Sequence, residues 1–344
     1  MGAARYERLL REFGTAREVL AANITALQSL WGTSLRMAER IIAQRDALDA
    51  VHARWESLRR RGVTARLRDN PDYPEALRRI PDAPPLLLTW GLPGPLPERS
   101  LAIVGTRNAC PEALHAAADA ARIAREHGWC VVSGLARGVD AAAHRGALAA
   151  PREAEWASVA VVGHDLTSMY PPEHRQLAVD VGRAGAVVSE WLFGEVRARR
   201  LVRRNRLISG LCRGVMIIQS GRDDGSLHTA RFAAAQRRDV AVWEPSELSV
   251  ASEGTGELVS LGRRAYTSAT LTDWLDHLDG RTEFPDPTLL FDKSKRPARA
   301  YWRDASEAVD LPRGCGAHAV VPDYRAVHGI GACGCAWAAG SPGM

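Results

Sequence analysis

The stretch LAIVGTRNACPEALHAAADAARIAREHGWCVVSGLARGVDAAAHRG, residues 101–146, decides the fold. It opens on a short apolar run, turns at Gly105, and continues from Pro111 into a helical stretch ending near Gly128. The same order then repeats, with CVVSG at 130–134 followed by a second helical stretch. Apolar run, Gly-rich turn and helix, repeated in that order, is the pattern of a parallel sheet wound with helices. Outward from this core the pattern continues through LLLTW (86–90), SVAVVG (158–163), AVVSE (186–190), GVMIIQS (214–220) and DVAVWE (239–244). Further helices are predicted over PEHRQLAVDVGRAG (172–185) and SLHTARFAAAQRR (226–238). Most of the runs lack strict alternation, so the strands are expected to be buried on both faces, with helices covering both sides of an α/β sheet.

The flanks differ. Residues 1 to about 60 carry helical periodicity without strand-like alternation, which predicts a helical lobe over 1–65 ahead of the α/β domain at 66–280. Beyond 281 the chain is charged, proline-bearing and then rich in Gly, Ala and Cys, and is expected to be a poorly ordered tail with no recognisable winged helix. The 344 residues, 46% hydrophobic and 25% charged, exclude a disordered, collagen-like or coiled-coil chain. No window is apolar and long enough for a membrane span, and the scattered cysteines fit a reduced compartment, so a cytoplasmic protein with no membrane contact is expected. In the tail, Cys315, His318, His328, Cys333 and Cys335 have an irregular spacing for a zinc knuckle, and no metal is expected there.

In an open parallel sheet, ligands bind beyond the carboxyl ends of the strands. Those ends here carry Gly105-Thr106-Arg107, Ser133-Gly134 with Arg137, Ser189-Glu190, and Gly225-Ser226 with Thr229. Small residues let backbone amides approach an anion, and hydroxyls and guanidiniums supply further donors. The pattern is neither G-x-G-x-x-G nor a P-loop, because the two lysines, Lys293 and Lys295, follow no glycine. Between Glu195 and Arg213 lie seven arginines: 197, 199, 200, 203, 204, 206 and 213. Such a run is either a wet surface helix or a grip on a polyanion. For a single nucleic-acid strand the affinity would fall with salt, with a slope of about −0.7 per phosphate contacted.

These segments, taken together, resemble the DNA-processing protein A (DprA/Smf) family. The carrying residues are DNPDYPEALRRIPDAPPLLL (69–88), IVGTRNA (103–109), VVSGLARGVDAAAHRGAL (131–148), YPPEHRQL (170–177), VVSE (187–190), RRNRLISGL (203–211) and GSLHTARFAAAQRRDVAV (225–242). The resemblance implies an extended Rossmann-like domain that binds single-stranded DNA without sequence preference and protects it. It further implies help in loading a RecA-type recombinase during natural transformation, often as a homodimer, with no catalysis and no cofactor. The DNA contacts it implies fall on Gly105, Thr106, Arg107, Ser133, Gly134, Arg137, Arg204, Asn205, Arg206, Gly225, Ser226 and Thr229. Arg107, Arg137, Arg204 and Arg206 would then face phosphates.

Asp140 and His144, four apart on one helix face, are read as a helix-start carboxylate with a histidine lying against it, and Glu190 as the partner of a nearby arginine. The chain departs from the family pattern at Leu201-Val202, where Phe-Pro is usual, at Gln219, where an acid is usual, and at Glu244-Pro245-Ser246 in place of a Pro-Gly turn. Losing the phenylalanine removes an aromatic that could stack on a base. The rival reading is a Rossmann-like nucleotide phosphoribohydrolase, suggested by Glu253-Gly254-Thr255-Gly256-Glu257. There Ala251-Ser252 replace the paired glycines that close phosphate approach needs, and Leu258 replaces the second acid.

Overall fold

The structure, a computed structural model, describes residues 3–150, 156–244 and 252–280. The predicted tail, with its cysteines and histidines, and the turn at 245–246 lie outside the described residues.

Four short helices come first: α1 (Ala3–Phe13), α2 (Ala16–Ala21), α3 (Ile24–Ser29) and α4 (Leu35–Ile42). Thr15, Asn23 and Ser34 cap the last three by accepting from backbone N–H groups in the first turn. Leu9, Val19, Leu27, Ala38 and Ile41 form a small core of their own. The next helix, α5 (Leu48–Arg60), belongs to the sheet: it runs into strand β1 (Val63–Leu67), and its Leu58 packs with Val63, Leu88 and Trp90. The boundary read from sequence at 65/66 therefore falls inside a strand.

The remaining elements are α6 (Glu75–Arg78), β2 (Leu86–Gly91), β3 (Ser100–Val104), α7 (Pro111–Glu126), β4 (Cys130–Ser133), α8 (Val139–Ala149) and β5 (Ser158–Val161). They continue with α9 (Arg175–Arg183), β6 (Gly185–Ser189), α10 (Ala198–Gly210), β7 (Gly214–Ile217), α11 (Gly225–Ala235), β8 (Asp239–Trp243), α12 (Glu253–Ser260), β9 (Arg264–Tyr266) and α13 (Leu271–Asp279). All seven strands expected from the apolar runs are present.

The nine strands form one sheet in the order β1-β2-β6-β5-β4-β3-β7-β8-β9. From β6 across to β9 every pair is parallel, whereas β2 runs antiparallel to β6 and β1 antiparallel to β2. The chain moves outward from β3 through β4, β5 and β6, then returns to place β7 on the other side of β3 and moves outward again. The carboxyl ends of β3 and β7 thus flank the point where the connections diverge, the position at which open α/β sheets take their ligands.

Two faces explain the continuous apolar runs. Ala102, Val104, Val132, Val159, Val161, Val188, Val215 and Ile217 meet α10 and α11 through Leu207, Ile208, Ala230 and Ala233. Their neighbours Leu101, Ile103, Val131 and Met216 point the other way, against the alanine-rich faces of α7 and α8. On that second side, Gly146 of α8 sits so close to α7 that a Cβ there would lie 2.3 Å from the Ala118 carbonyl oxygen.

Candidate nucleic-acid interface

Three loops that sequence reading placed on one rim are bonded to one another. The Thr106 N–H donates to the Gln219 carbonyl (2.7 Å), joining the ends of β3 and β7. Gln219 continues the join with its side chain, whose Oε1 accepts from the Cys110 N–H (3.1 Å). The Val139 N–H, at the start of α8, donates to the Thr106 carbonyl (3.2 Å). Gly138, just before it, has φ +71°, and a Cβ at that position would lie 2.3 Å from the same carbonyl, so glycine is required on both counts. The third loop is tied in by Asn205 Nδ2, which donates to the Gly225 carbonyl (3.0 Å), and by Ser226 Oγ, which donates to Ser220 Oγ (2.8 Å). Helices α7, α8 and α11 start from these loops, and in none does the N-cap residue supply a side-chain hydrogen bond, although Glu112 and Asp140 stand in the first turns of α7 and α8. Three helix starts on one rim leave amide dipoles favouring an anion.

The predicted arginines do not share one environment. Arg107 is exposed and has no ion-pair partner among the described residues. Arg137 is exposed but ion-paired with Glu173. Arg204 is 5% exposed, with Nη1 donating to the Val161 carbonyl (2.9 Å). Its guanidinium lies directly over Gly134, where a Cβ would come within 1.5 Å of Nη1. Burial lowers the Arg204 pKa to about 10, with Asp140 opposing that shift and Arg107 adding to it. Asp140 accepts from the N–H groups of Gly134 (3.1 Å) and Ala136 (3.3 Å), and burial raises its pKa against the pull of Arg204. Arg204 thus contributes a buried positive charge beneath the second loop.

Arg206 corrects the sequence reading. It is 0% exposed, donates through Nη2 to Glu190 Oε2 (2.6 Å), and its Nε lies 2.9 Å from Asp82 Oδ2. A fully enclosed guanidinium held between the buried Glu190 and the part-exposed Asp82 is not available to a phosphate. The arginine-rich segment is accordingly neither a wet helix nor a uniform grip: α10 turns Arg204, Asn205 and Arg206 inward, while Arg197 and Arg199 before them are exposed. Glu190 is the arginine partner the sequence suggested, facing Arg203 as well (3.6 Å).

The hydroxyls expected at the ligand are also used internally. Ser133 Oγ donates to the Ile103 carbonyl (2.6 Å), Ser226 bonds Ser220, and Thr229 is buried. They fix loop shape. The expected Asp140–His144 contact is replaced by two separate ones: the carboxylate turns to the loop amides, and His144 Nδ1 lies 2.7 Å from Ser158 Oγ. Because the Ser158 hydroxyl proton goes to the Val131 carbonyl, His144 Nδ1 is the donor and Nε2 is left as an unpartnered acceptor. Burial holds the His144 pKa down to about 3, with Arg204 adding to the effect.

The segment behind the phosphoribohydrolase reading is helix α12, docked on the end of β7. The Gly254 and Thr255 N–H groups donate to the Ser220 carbonyl (2.8 and 3.2 Å), and a Cβ at Gly254 would lie 2.4 Å from the Gly221 carbonyl oxygen. The glycine is there for packing, and these amides do not form an open phosphate nest. Among the described residues no group of three or more His, Cys, Asp and Glu side chains could hold a metal ion, and no helix is long and apolar enough to cross a membrane.

Sequence reading missed the Gln219 clasp and the aromatic pair Trp191 and Phe193 beside the arginines. The second carried a signal in principle, since aromatic residues next to a basic run are a nucleic-acid pattern.

Comparison with known proteins shows the family of the chain. The family described as DNA recombination-mediator protein A matches residues 64–279. Protein Smf of Synechocystis is 32% identical over 247 residues, covering 70% of this chain and 60% of that protein, so the chain spans about three-fifths of that relative's length. DNA processing protein DprA of Streptococcus pneumoniae is 35% identical over 197 residues, covering 57% of this chain and 68% of that protein. The solved structure of DprA from Streptococcus pneumoniae superposes with a TM-score of 0.62 at 25% identity, covering 83% of this chain and 99% of that one. A structure of DNA processing protein A from Helicobacter pylori, described for its single-stranded DNA binding mode, gives 0.54 at 26% identity over 63% of this chain and 96% of that one.

Proposed function

Because the chain belongs to the DNA recombination-mediator protein A family, we propose that it binds single-stranded DNA without sequence preference along the rim of β3, β4 and β7. In this reading it protects the strand and delivers it to a RecA-type recombinase in the cytoplasm, acting as a homodimer and without a chemical step of its own. One observation carries the proposal: Arg107, exposed and with no ion-pair partner among the described residues, stands between the starts of α7 and α8, whose N-cap residues make no side-chain hydrogen bond, above the buried charge of Arg204. A phosphate there meets a guanidinium, oriented amides and a desolvated positive charge together. None of these groups reads a base edge, which accounts for binding without sequence preference.

The test is a shift assay with the full chain, comparing a single-stranded oligonucleotide with its duplex at two ionic strengths. Arg107→Ala is expected to weaken single-strand binding equally across sequences and to reduce the salt slope by about 0.7, the value of one lost phosphate contact. Unchanged affinity and slope would remove Arg107 from the interface. A preference for duplex would reject the single-strand reading itself.

A further inference from the structure

We propose that the loop between β6 and α10 forms a second, base-stacking subsite centred on Phe193; the inference rests on the single-strand reading and extends it. Phe193 is 44% exposed on the same carboxyl-end rim as the candidate loops. Its position is held from several sides. Arg54 of α5 lies 5.9 Å from the Phe193 ring centroid, donates to the Leu192 carbonyl (3.4 Å) and pairs with Asp165 (3.2 Å). Arg200 Nη1 donates to the Phe193 and Glu195 carbonyls (3.1 and 3.3 Å), and the Gly194 N–H donates to Asp165 Oδ2 (3.1 Å). Gly194, at φ +122°, lets this turn close: a Cβ there would lie 1.9 Å from Arg200 Nη1. The loop is built to hold an aromatic ring at the surface, although leaving a ring in water gains nothing by itself.

The surroundings fit a polyanion. Arg200 and Arg203 stand 4.1 and 5.8 Å from the Trp191 ring centroid, and Arg197 and Arg199 are exposed, with no ion-pair partner among the described residues. The carboxylates close by are Asp165 and Glu190, each already paired with arginine, and the exposed Glu195. Helix α10 runs from Arg197 to Arg204 under the second loop, a rise of roughly 10 Å along the axis. A strand leaving Arg107 can therefore continue over this loop. An aromatic face flanked by guanidiniums is the arrangement on which unpaired bases stack whatever their sequence. Phe193 would supply here the ring that Leu201-Val202 lacks.

The full chain is titrated at one ionic strength with a mixed-sequence single strand and with a strand of equal length whose sites are all abasic. Phe193→Ala and Phe193→Leu are expected to lose about tenfold in affinity for the base-bearing strand and to match the wild type on the abasic one, while Phe193→Trp keeps full affinity. Arg197→Ala combined with Arg199→Ala is expected to weaken both strands alike. Wild-type affinity of Phe193→Ala for the base-bearing strand overturns the subsite. An equal loss on both strands overturns it too, since it would indicate a scaffolding role or a surface for a protein partner. Arg107→Ala in the same titration keeps the two readings apart: if it loses both strands while Phe193→Ala behaves as wild type, the subsite falls and the single-strand reading stands. A wild-type chain that retains neither strand removes both.

Discussion

Arg206 shows what a residue's neighbours can do to its apparent role. In the sequence it stands in a run of cations; in the fold it is the centre of an ion pair with Glu190 and Asp82. Glu190 is the arginine partner that the sequence suggests, but Asp82 lies far from Arg206 along the chain, so nothing in the local sequence discloses that the guanidinium is enclosed. Arg206→Ala is expected to destabilise the protein by up to about 3–5 kcal/mol in urea unfolding, because Glu190 would remain buried with its nearest counter-charge gone and only Arg203, 3.6 Å away, left to face it. A loss under about 1 kcal/mol would mean that water reaches Glu190. The same variant is a poor probe of DNA contact, since any fall in binding would follow from unfolding. His144 gives a second residue-scale expectation. Its folded pKa of about 3 lies below the ordinary 6.5, so the unfolded chain takes up a proton that the folded chain refuses. Stability should therefore be complete above about pH 6.5 and fall as the pH drops towards 3, by about 1.4 kcal/mol per pH unit at most from this group. Burial depresses His164 in the same direction. The raised pKa of Asp140 acts oppositely in the carboxylate range. Urea unfolding at pH 7.5, 6 and 5 measures this, and His144→Ala should flatten the slope by close to one proton.

Among the elements, the strands legible from sequence were those whose burial demands apolar residues on both faces. The two that escaped, VTARL at 63–67 and RAY at 264–266, are the sheet's margins, short and polar, and one carries a buried arginine, Arg66, that bonds the Gly94 and Asp72 carbonyls. Edge strands carry less apolar patterning because one side has no partner to bury against. The pairing of α7 with α8 rests on small side chains: Ala113, Ala117, Ala120, Ala121 and Ala124 face Ala142, Ala143 and Ala147, with Gly146 at the closest approach. Gly146→Val is expected to push the helices apart against the Ala118 backbone and to destabilise by about 1–3 kcal/mol, read as a lower melting temperature. If the melt is unchanged, the two helices separate more freely than this packing implies.

At the scale of the whole molecule, the chain divides by packing rather than by composition. Helices α1 to α4 close their own core, and α5 joins the sheet through Leu58. Removing residues 1–43 is therefore expected to leave one cooperative unfolding transition for the sheet, with a smaller dependence on denaturant in proportion to the surface lost. Loss of that transition would show that the lobe is needed for the sheet to fold. The alanine seam between α7 and α8 has a kinetic side as well. The two helices begin at two of the three loops proposed to face DNA, and with so little space between them neither can shift without the other. Under the proposed function, an incoming phosphate would meet donors already at their final spacing, and the ordering entropy of association would fall on the polynucleotide alone. Encounter should then be limited by diffusion and charge, and complex lifetime by how many neighbouring nucleotides hold on together.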